Sequence, residues 1–332
     1  MGYYLLMEKK EIIENIHTLV SNNVIGDKQA MSRYKGFRGE LFLESYLEGK
    51  YPSRKYFEGG MIISRNSSES SLDNSMYISV LNKNEYTSDY VQIFAYLSAI
   101  GFEEMILILY DEEKWEMKPV MVFDSSSISL PIPEMTIYRF SPIDKKFNQA
   151  LKDITGVLNF FDSNAVRSRN KHKIETQTFD WLQNNLSEFP QPKLLKIYMN
   201  RLILDGFIGF GKKKGKPSDI DMIVKKPSGN FSLIEVKEKD LPKQNKKGFG
   251  LDVPRLDDMM RISKQTGLDY FLIVREINNQ TDRDLLGYKY ISIKDFEADV
   301  QGSETVTGGT GMRSESTINK TFICSYHLFR DL

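Results

Sequence analysis

The chain has 332 residues, 45 basic and 45 acidic side chains, 40% hydrophobic residues and a formal net charge of zero. Zero net charge excludes binding to nucleic acid through overall charge, so any basic surface must be local. A single cysteine, Cys324, excludes a disulfide framework and a cysteine-based zinc site and is typical of a reducing compartment. The length exceeds that of most single domains, so two domains are expected.

The sequence predicts neither a membrane-spanning helix nor a signal peptide. No apolar run approaches the roughly 20 residues of a membrane-spanning helix. The first eleven residues lack the basic start and the long apolar core of a signal peptide. We therefore expect a cytoplasmic protein with no membrane partner.

Helical and strand patterns alternate along both halves of the chain. In the first half the predicted elements are helices Glu8–Val20 and Lys35–Leu47, strands Gly59–Arg65 and Met76–Leu81, helix Tyr90–Ala99 and strand Met105–Tyr110. In the second half they are a helix Lys193–Leu204 that ends before Gly206, a hairpin within Ser218–Asp240, helix Val253–Gln265 and strand Phe271–Val274. The repeated order indicates an α/β fold with a duplicated unit, divided into domains of residues 1–164 and 165–332.

The hairpin segment contains two short apolar runs, Ile220–Val224 and Phe231–Val236. Between them lie Pro227, Ser228, Gly229 and Asn230, which are typical turn residues. A turn centred near Ser228–Gly229 predicts an antiparallel pair of strands.

The predicted pairing brings acidic side chains together. It places Asp221 opposite Glu235 or Val236, and side chains opposite each other on one face lie roughly 5 Å apart. Glu235 and Lys237 are two residues apart, so in a strand they share a face. A register shifted by one residue would send the two carboxylates to opposite faces.

Two carboxylates beside a lysine suit phosphodiester hydrolysis. Carboxylate oxygens are ligands that Mg²⁺ prefers, and Mn²⁺ can take its place. A bound metal polarises the phosphoryl group and lowers the pKa of a water molecule. A neighbouring lysine can orient or deprotonate that water and can stabilise developing negative charge.

Asp221, thirteen intervening residues and then Glu235-Val236-Lys237 resemble the signature of the PD-(D/E)XK nuclease superfamily, which has the restriction-endonuclease-like fold. The resemblance implies a mixed sheet flanked by helices in the C-terminal half. It implies that Asp221, Glu235 and Lys237 are catalytic and that Asp221 and Glu235 hold the metal. The leading Pro-Asp of the signature is imperfect, so Asp219 remains an alternative metal ligand.

The resemblance further implies a type II restriction endonuclease that acts on double-stranded DNA as a homodimer, with a cognate DNA methyltransferase in the same system. Two alternatives stay open: a phage, transposon or repair nuclease of the same superfamily, or a DNA-binding protein that has the fold without turnover. In the N-terminal half Tyr77 and Ser79 stand where the acid and the lysine are expected. That half is predicted to be catalytically silent and to serve DNA recognition, regulation or dimerisation.

Lysine-rich segments flank the hairpin and could contact DNA phosphates. The candidate DNA-binding residues are Lys212, Lys213, Lys214, Lys216, Lys239, Lys246, Lys247 and Arg255. Ordinary solvated loops are the alternative interpretation of these segments. The sequence does not indicate which residues would contact base edges.

Overall fold

A computed structural model describes residues 7–24, 26–65, 71–121, 127–161, 174–209, 217–241, 248–310 and 318–332. The chain forms two compact units, each made of two separate segments. The first unit contains Met1–Tyr34 and Gly60–Asp219, and the second contains Lys35–Gly59 and Ile220–Leu332. The roles predicted for residues 1–164 and 165–332 remain predictions.

The α-helices of the described residues are α1 Lys9–Ser21, α2 Asp27–Lys50, α3 Asp89–Leu97, α4 Thr155–Leu158, α5 Thr176–Leu186, α6 Gln191–Arg201, α7 Val253–Thr266 and α8 Ile293–Val300. The strands are β1 Lys55–Ser64, β2 Ser75–Asn82, β3 Glu104–Met121, β4 Ser127–Ser141, β5 Lys146–Leu151, β6 Pro217–Lys225, β7 Phe231–Lys239, β8 Gly248–Asp252, β9 Asp269–Ile277, β10 Leu285–Ser292, β11 Val306–Thr310, β12 Ile318–Ser325 and β13 Arg330–Asp331. Across these residues, no helix is both long and apolar enough to span a membrane.

The first unit is built on a mixed sheet in the order β1-β2-β3-β4-β5. Strands β1 and β2 are antiparallel, β2 and β3 are parallel, and α3 connects the parallel pair. Helix α6 packs against α1 and β2. Its fully buried Tyr198 donates a hydrogen bond of 2.7 Å to the carbonyl of Pro131 in β4, which ties the helix to the sheet.

The second unit contains a mixed sheet in the order β13-β10-β9-β7-β6 and a smaller antiparallel sheet in the order β11-β12-β8. Strands β6 and β7 are antiparallel, β7 and β9 are parallel, and α7 lies between β7 and β9 in the chain. One face of the larger sheet is covered by Leu43 and Leu47 of α2, which pack with Met222, Ile234 and Ile273.

The predicted α/β class is confirmed. In chain order the second unit begins α2, β1, β6, β7, β8, α7, β9, and the segment Gly60–Asp219 of the first unit is inserted after Gly59. This mixed sheet flanked by helices is consistent with a restriction-endonuclease-like fold.

Several predicted elements are shorter than those of the structure; the predicted helix Lys35–Leu47, for example, lies within α2. The predicted helix Lys193–Leu204 continues past Gly206, because α6 is followed by a π-helical segment, Leu202–Gly209. Gly206 does not end the helix but allows close packing on α1, since a Cβ there would lie 3.1 Å from a methyl carbon of Leu19. The predicted strand Met105–Tyr110 is also too short, because β3 continues to Met121 in a long antiparallel pair with β4.

Candidate metal centre

The β6–β7 hairpin sets the geometry of the site. The register runs from Lys225 opposite Phe231 to Met222 opposite Ile234. One further step brings Asp221 level with Glu235, which is one of the two partners predicted from the sequence. The turn is closed by the Lys226 N–H, which donates 2.8 Å to the Asn230 carbonyl, and Gly229 adopts the left-handed φ of 88° that this turn requires.

Three carboxylates lie together on this hairpin. Ligand oxygens of Asp219, Asp221 and Glu235 all lie within 4.8 Å of one another. Asp219 is exposed, Asp221 is half-buried and Glu235 has no exposed surface. The backbone N–H of Val236 donates a 2.6 Å hydrogen bond to Oδ2 of Asp221, which fixes that carboxylate against β7.

Lys237 lies beside the buried carboxylate. Its Nζ is 2.5 Å from Oε1 of Glu235, and 38% of its side chain is exposed. Burial acts to lower the pKa of Lys237, but the carboxylates of Glu235 and Asp221 outweigh it and raise the pKa above its usual range. The lysine is therefore a positive charge at neutral pH, which favours a charge-stabilising role over that of a base.

A second cation contacts Glu235 from α7. Arg255, in the first turn of that helix, donates from Nε to Oε1 at 2.9 Å and from Nη2 to Oε2. Only 14% of its side chain is exposed. Burial acts to raise the pKa of Glu235, but the charges of Arg255 and Lys237 lower it below its usual range, so Glu235 is ionised.

The start of α7, which carries Arg255, is bonded to the small sheet. Asp252, the last residue of β8, is the N-cap of α7 and accepts a 2.8 Å hydrogen bond from the Thr321 hydroxyl in β12. From the sequence, Arg255 is predicted only as a DNA contact, and that role remains a prediction. A basic residue in the first turn of the helix that follows the acidic strand was the available signal for its contact with Glu235.

Of the other predicted DNA-binding residues, only Lys239 lies within the described part of the chain. Lys239, at the end of β7, is half-buried, and burial together with the charge of Lys237 lowers its pKa. Lys212, Lys213, Lys214, Lys216, Lys246 and Lys247 lie outside the described residues. Their predicted contacts with phosphate remain predictions.

The donor set fits a hard divalent cation. Three carboxylates supply oxygen ligands of the kind that Mg²⁺ and Mn²⁺ bind. With Lys237 and Arg255 included, the five side chains carry a formal net charge of −1. The approach of a divalent cation to this cluster is therefore electrostatically favourable.

No family model matches the chain, and no curated protein matches it. Among solved structures, the chain is similar to Hjc, a Holliday junction resolvase from the archaeal hyperthermophile Archaeoglobus fulgidus, at 14% sequence identity. The match covers 34% of this chain and 69% of the resolvase, with a TM-score of 0.20. A similarity of this size does not specify a function, which has to be inferred from the site itself.

Proposed function

We propose that the protein is a Mg²⁺-dependent DNA endonuclease of the PD-(D/E)XK superfamily. The observation that carries the proposal is the convergence of Asp221, Glu235 and Lys237 at one point of the β6–β7 hairpin. An acid on one strand, and an acid and a lysine on the next, are the groups that metal-assisted phosphodiester hydrolysis requires. The helix and strand order of the second unit is consistent with that superfamily.

Each side chain has a separate task in this proposal. Asp221 and Glu235 would hold the metal, with Asp219 as an additional or alternative ligand. The metal would act as a Lewis acid on the phosphoryl group and would lower the pKa of a bound water. The Lys237 ammonium group stabilises negative charge that develops on the phosphate oxygens. The Val236 N–H keeps Asp221 in position for its partner acid.

The more specific form of the proposal is a type II restriction enzyme that makes double-strand breaks. One site of this kind cuts one strand, so a palindromic sequence requires two sites related by a two-fold axis. A C2 homodimer provides them through a single self-complementary interface. A cognate methyltransferase would then protect the host DNA. A processing or repair nuclease would instead leave nicks or heterogeneous ends.

The test is plasmid cleavage with Mg²⁺ or Mn²⁺, followed by addition of EDTA. We expect cleavage that EDTA stops, and Asp221→Ala and Glu235→Ala should each slow it at least about a hundredfold, because removal of a metal ligand costs several kcal/mol at the transition state. Asp257→Ala, which removes an exposed acid from α7, is the matched control. Cleavage by either site variant within about tenfold of the parent would contradict the assignment. Asp219→Ala should have a smaller effect.

A second candidate function is DNA binding without turnover. It is favoured by one observation, namely that both oxygens of Glu235 already accept hydrogen bonds from cationic side chains. If this candidate is correct, the protein should retard duplex DNA in a gel and should leave it intact in both metals.

A further inference from the structure

Two cationic side chains contact the same buried carboxylate of the candidate metal site. Arg255 and Lys237 both lie against Glu235, a carboxylate with no exposed surface. An ionised carboxyl group at such a position is costly unless it is paired. Lys237 and Arg255 provide that pairing.

The two cations do not pair with Glu235 in the same way. Lys237 makes one contact, to Oε1, from the same strand. Arg255 spans both oxygens from a different element, which is the bidentate geometry typical of strong guanidinium–carboxylate pairs. A metal ion that binds Glu235 must therefore share or replace a contact of Arg255, whichever oxygen it uses.

We propose that Arg255 is an exchangeable counter-charge of Glu235, which keeps the buried carboxylate paired in the metal-free protein and gives up at least one of its contacts when a divalent cation binds. This inference rests on the proposed metal site but does not depend on turnover.

The location of Arg255 allows such an exchange. Its side chain comes from the first turn of α7 and takes no part in the β6–β7 pairing, so loss of a contact with Glu235 leaves that pairing intact. Metal binding changes the formal charge of the five side chains and the ion from −1 to +1. The released guanidinium then lies beside the metal ligands, where the phosphate of a DNA strand would be an alternative partner.

The test measures metal affinity and stability, with no activity readout. Mn²⁺ binding is followed by electron paramagnetic resonance, and thermal unfolding is recorded with and without Mn²⁺. In Arg255→Ala we expect Mn²⁺ to bind about tenfold more tightly, because a positive charge close to the ion has been removed. The midpoint of unfolding should fall in the metal-free variant and should recover in Mn²⁺ by more than the parent gains.

Two further variants complete the experiment. Lys264→Ala removes a positive charge from the exposed last turn of the same helix and should leave Mn²⁺ affinity within about twofold of the parent. Arg255→Lys keeps the charge but cannot form the bidentate pair, so its Mn²⁺ affinity should lie between those of the parent and Arg255→Ala. If Arg255→Ala does not fold without metal, the Mn²⁺ affinity of Arg255→Lys still tests the inference.

Equal or weaker Mn²⁺ binding by Arg255→Ala and Arg255→Lys would overturn the inference, because the arginine would then orient Glu235 for the metal. Failure of the proposed function is recognised separately. If the parent binds Mn²⁺ without cutting DNA, the nuclease proposal fails and the exchange is still tested. If neither the parent nor the variants bind Mn²⁺, both proposals fail. The parent's lack of Mn²⁺ binding then shows that the error lies in the proposed metal site.

Discussion

From the sequence, Lys237 could either deprotonate a water molecule or stabilise negative charge, and its surroundings favour the second role. Burial acts to lower the pKa of Lys237, but Glu235 and Asp221 together raise it by more, so the side chain is protonated at neutral pH. We expect Lys237→Met to reduce turnover by about a hundredfold or more, as the removal of a charge-stabilising donor does, with little change in DNA affinity. Lys237→Arg should recover part of the rate, because it restores the positive charge. Single-turnover cleavage and gel-shift titrations separate the two effects.

An outcome with the opposite pattern would contradict this role. If Lys237→Met bound DNA more weakly and kept its single-turnover rate, the lysine would bind phosphate without assisting the chemistry. Replacing Lys212, Lys213 and Lys214 together is the useful comparison, because their predicted role is to contact phosphate. That variant should weaken binding, and the slope of its salt dependence should fall by roughly one unit for each phosphate that is no longer neutralised.

The sequence was sufficient to place these acids and the lysine for a simple reason. Alternation along a strand puts Glu235 and Lys237 on one face, and the turn residues limit the partner of Asp221 to Glu235 or Val236. The contact of Arg255 with Glu235 could not be found in this way. This contact joins residues 20 positions apart and depends on how α7 packs against the sheet. Neither strand alternation nor turn residues carry information on that packing.

At the scale of elements, strand β7 carries a second buried acid on its opposite face. Glu238 pairs with Arg275 at 2.5 Å and with Arg283, and its side chain is only 4% exposed. Arg38 of α2 lies 4.0 Å away. This network joins the end of β7 to β9 and α2, and therefore supports the strand that carries Glu235 and Lys237.

Removing the charge of Glu238 should destabilise the fold. Glu238→Gln would leave the buried guanidinium groups of Arg275 and Arg283 without their carboxylate, and breaking a buried pair in this way costs about 3–5 kcal/mol. Urea unfolding should show a decrease of this size, and Glu304→Gln, an exposed acid of the same unit, should show almost none. A decrease below about 1 kcal/mol for Glu238→Gln would mean that other groups compensate for the arginines.

The two units share an arrangement of elements that the sequence pattern predicted. In each, an antiparallel pair (β1–β2 or β6–β7) precedes a helix and a strand parallel to the second member of the pair, although in the second unit β8 lies between the pair and the helix. The helices α3 and α7 are each followed by a glycine with left-handed φ: Gly101, which caps the short 3₁₀ turn after α3, and Gly267, the C-cap of α7. The shared order is what a duplicated α/β unit would produce.

The pairing registers of the parallel strands shift the residue-by-residue alignment of β2 with β7 by one position from the alignment based on sequence. Met76 lies opposite Glu104, three residues after Gly101. Leu233 lies opposite Tyr270, three residues after Gly267.

Counting along both strands from these pairs, Ile78 corresponds to Glu235 and Val80 corresponds to Lys237. The sequence pattern alone places Tyr77 and Ser79 at those positions. In either alignment the first unit has no acid or lysine at these two positions, and its lack of catalysis stays a prediction. Tyr77 is a core residue, fully buried against Phe94 and Phe102.

At the scale of the whole molecule, the compact units partition the chain differently from the ranges predicted from the sequence. Helices α5 and α6 follow residue 164 but belong to the first unit, where both pack on α1. The second unit takes part of α2, with Leu43 and Leu47, from the N-terminal half. Local patterns cannot reveal this exchange, because they contain no information on which helix covers which sheet.

The exchange of segments predicts how fragments should behave. A fragment of residues 165–332 lacks Leu43 and Leu47, which would leave one face of its sheet in water, so we expect it to be unfolded or to aggregate. Residues 35–59 joined to residues 218–332 by a short glycine–serine linker restore that cover and keep Asp219. The junction is feasible because Gly59 and Ile220 are in backbone contact; a Cβ on Gly59 would lie 1.7 Å from the Ile220 carbonyl oxygen.

The linked protein should therefore unfold cooperatively and bind Mn²⁺ with an affinity similar to that of the full chain, because all three carboxylates of the site are present. Circular dichroism and Mn²⁺ titration measure these two properties, and the same linked protein with Glu235→Gln is the control for specific metal binding. If residues 165–332 alone folded cooperatively and bound Mn²⁺ as tightly as the linked protein, α2 would not be part of the unit that supports the site. The linked protein also makes it possible to measure separately what the first unit contributes to DNA affinity.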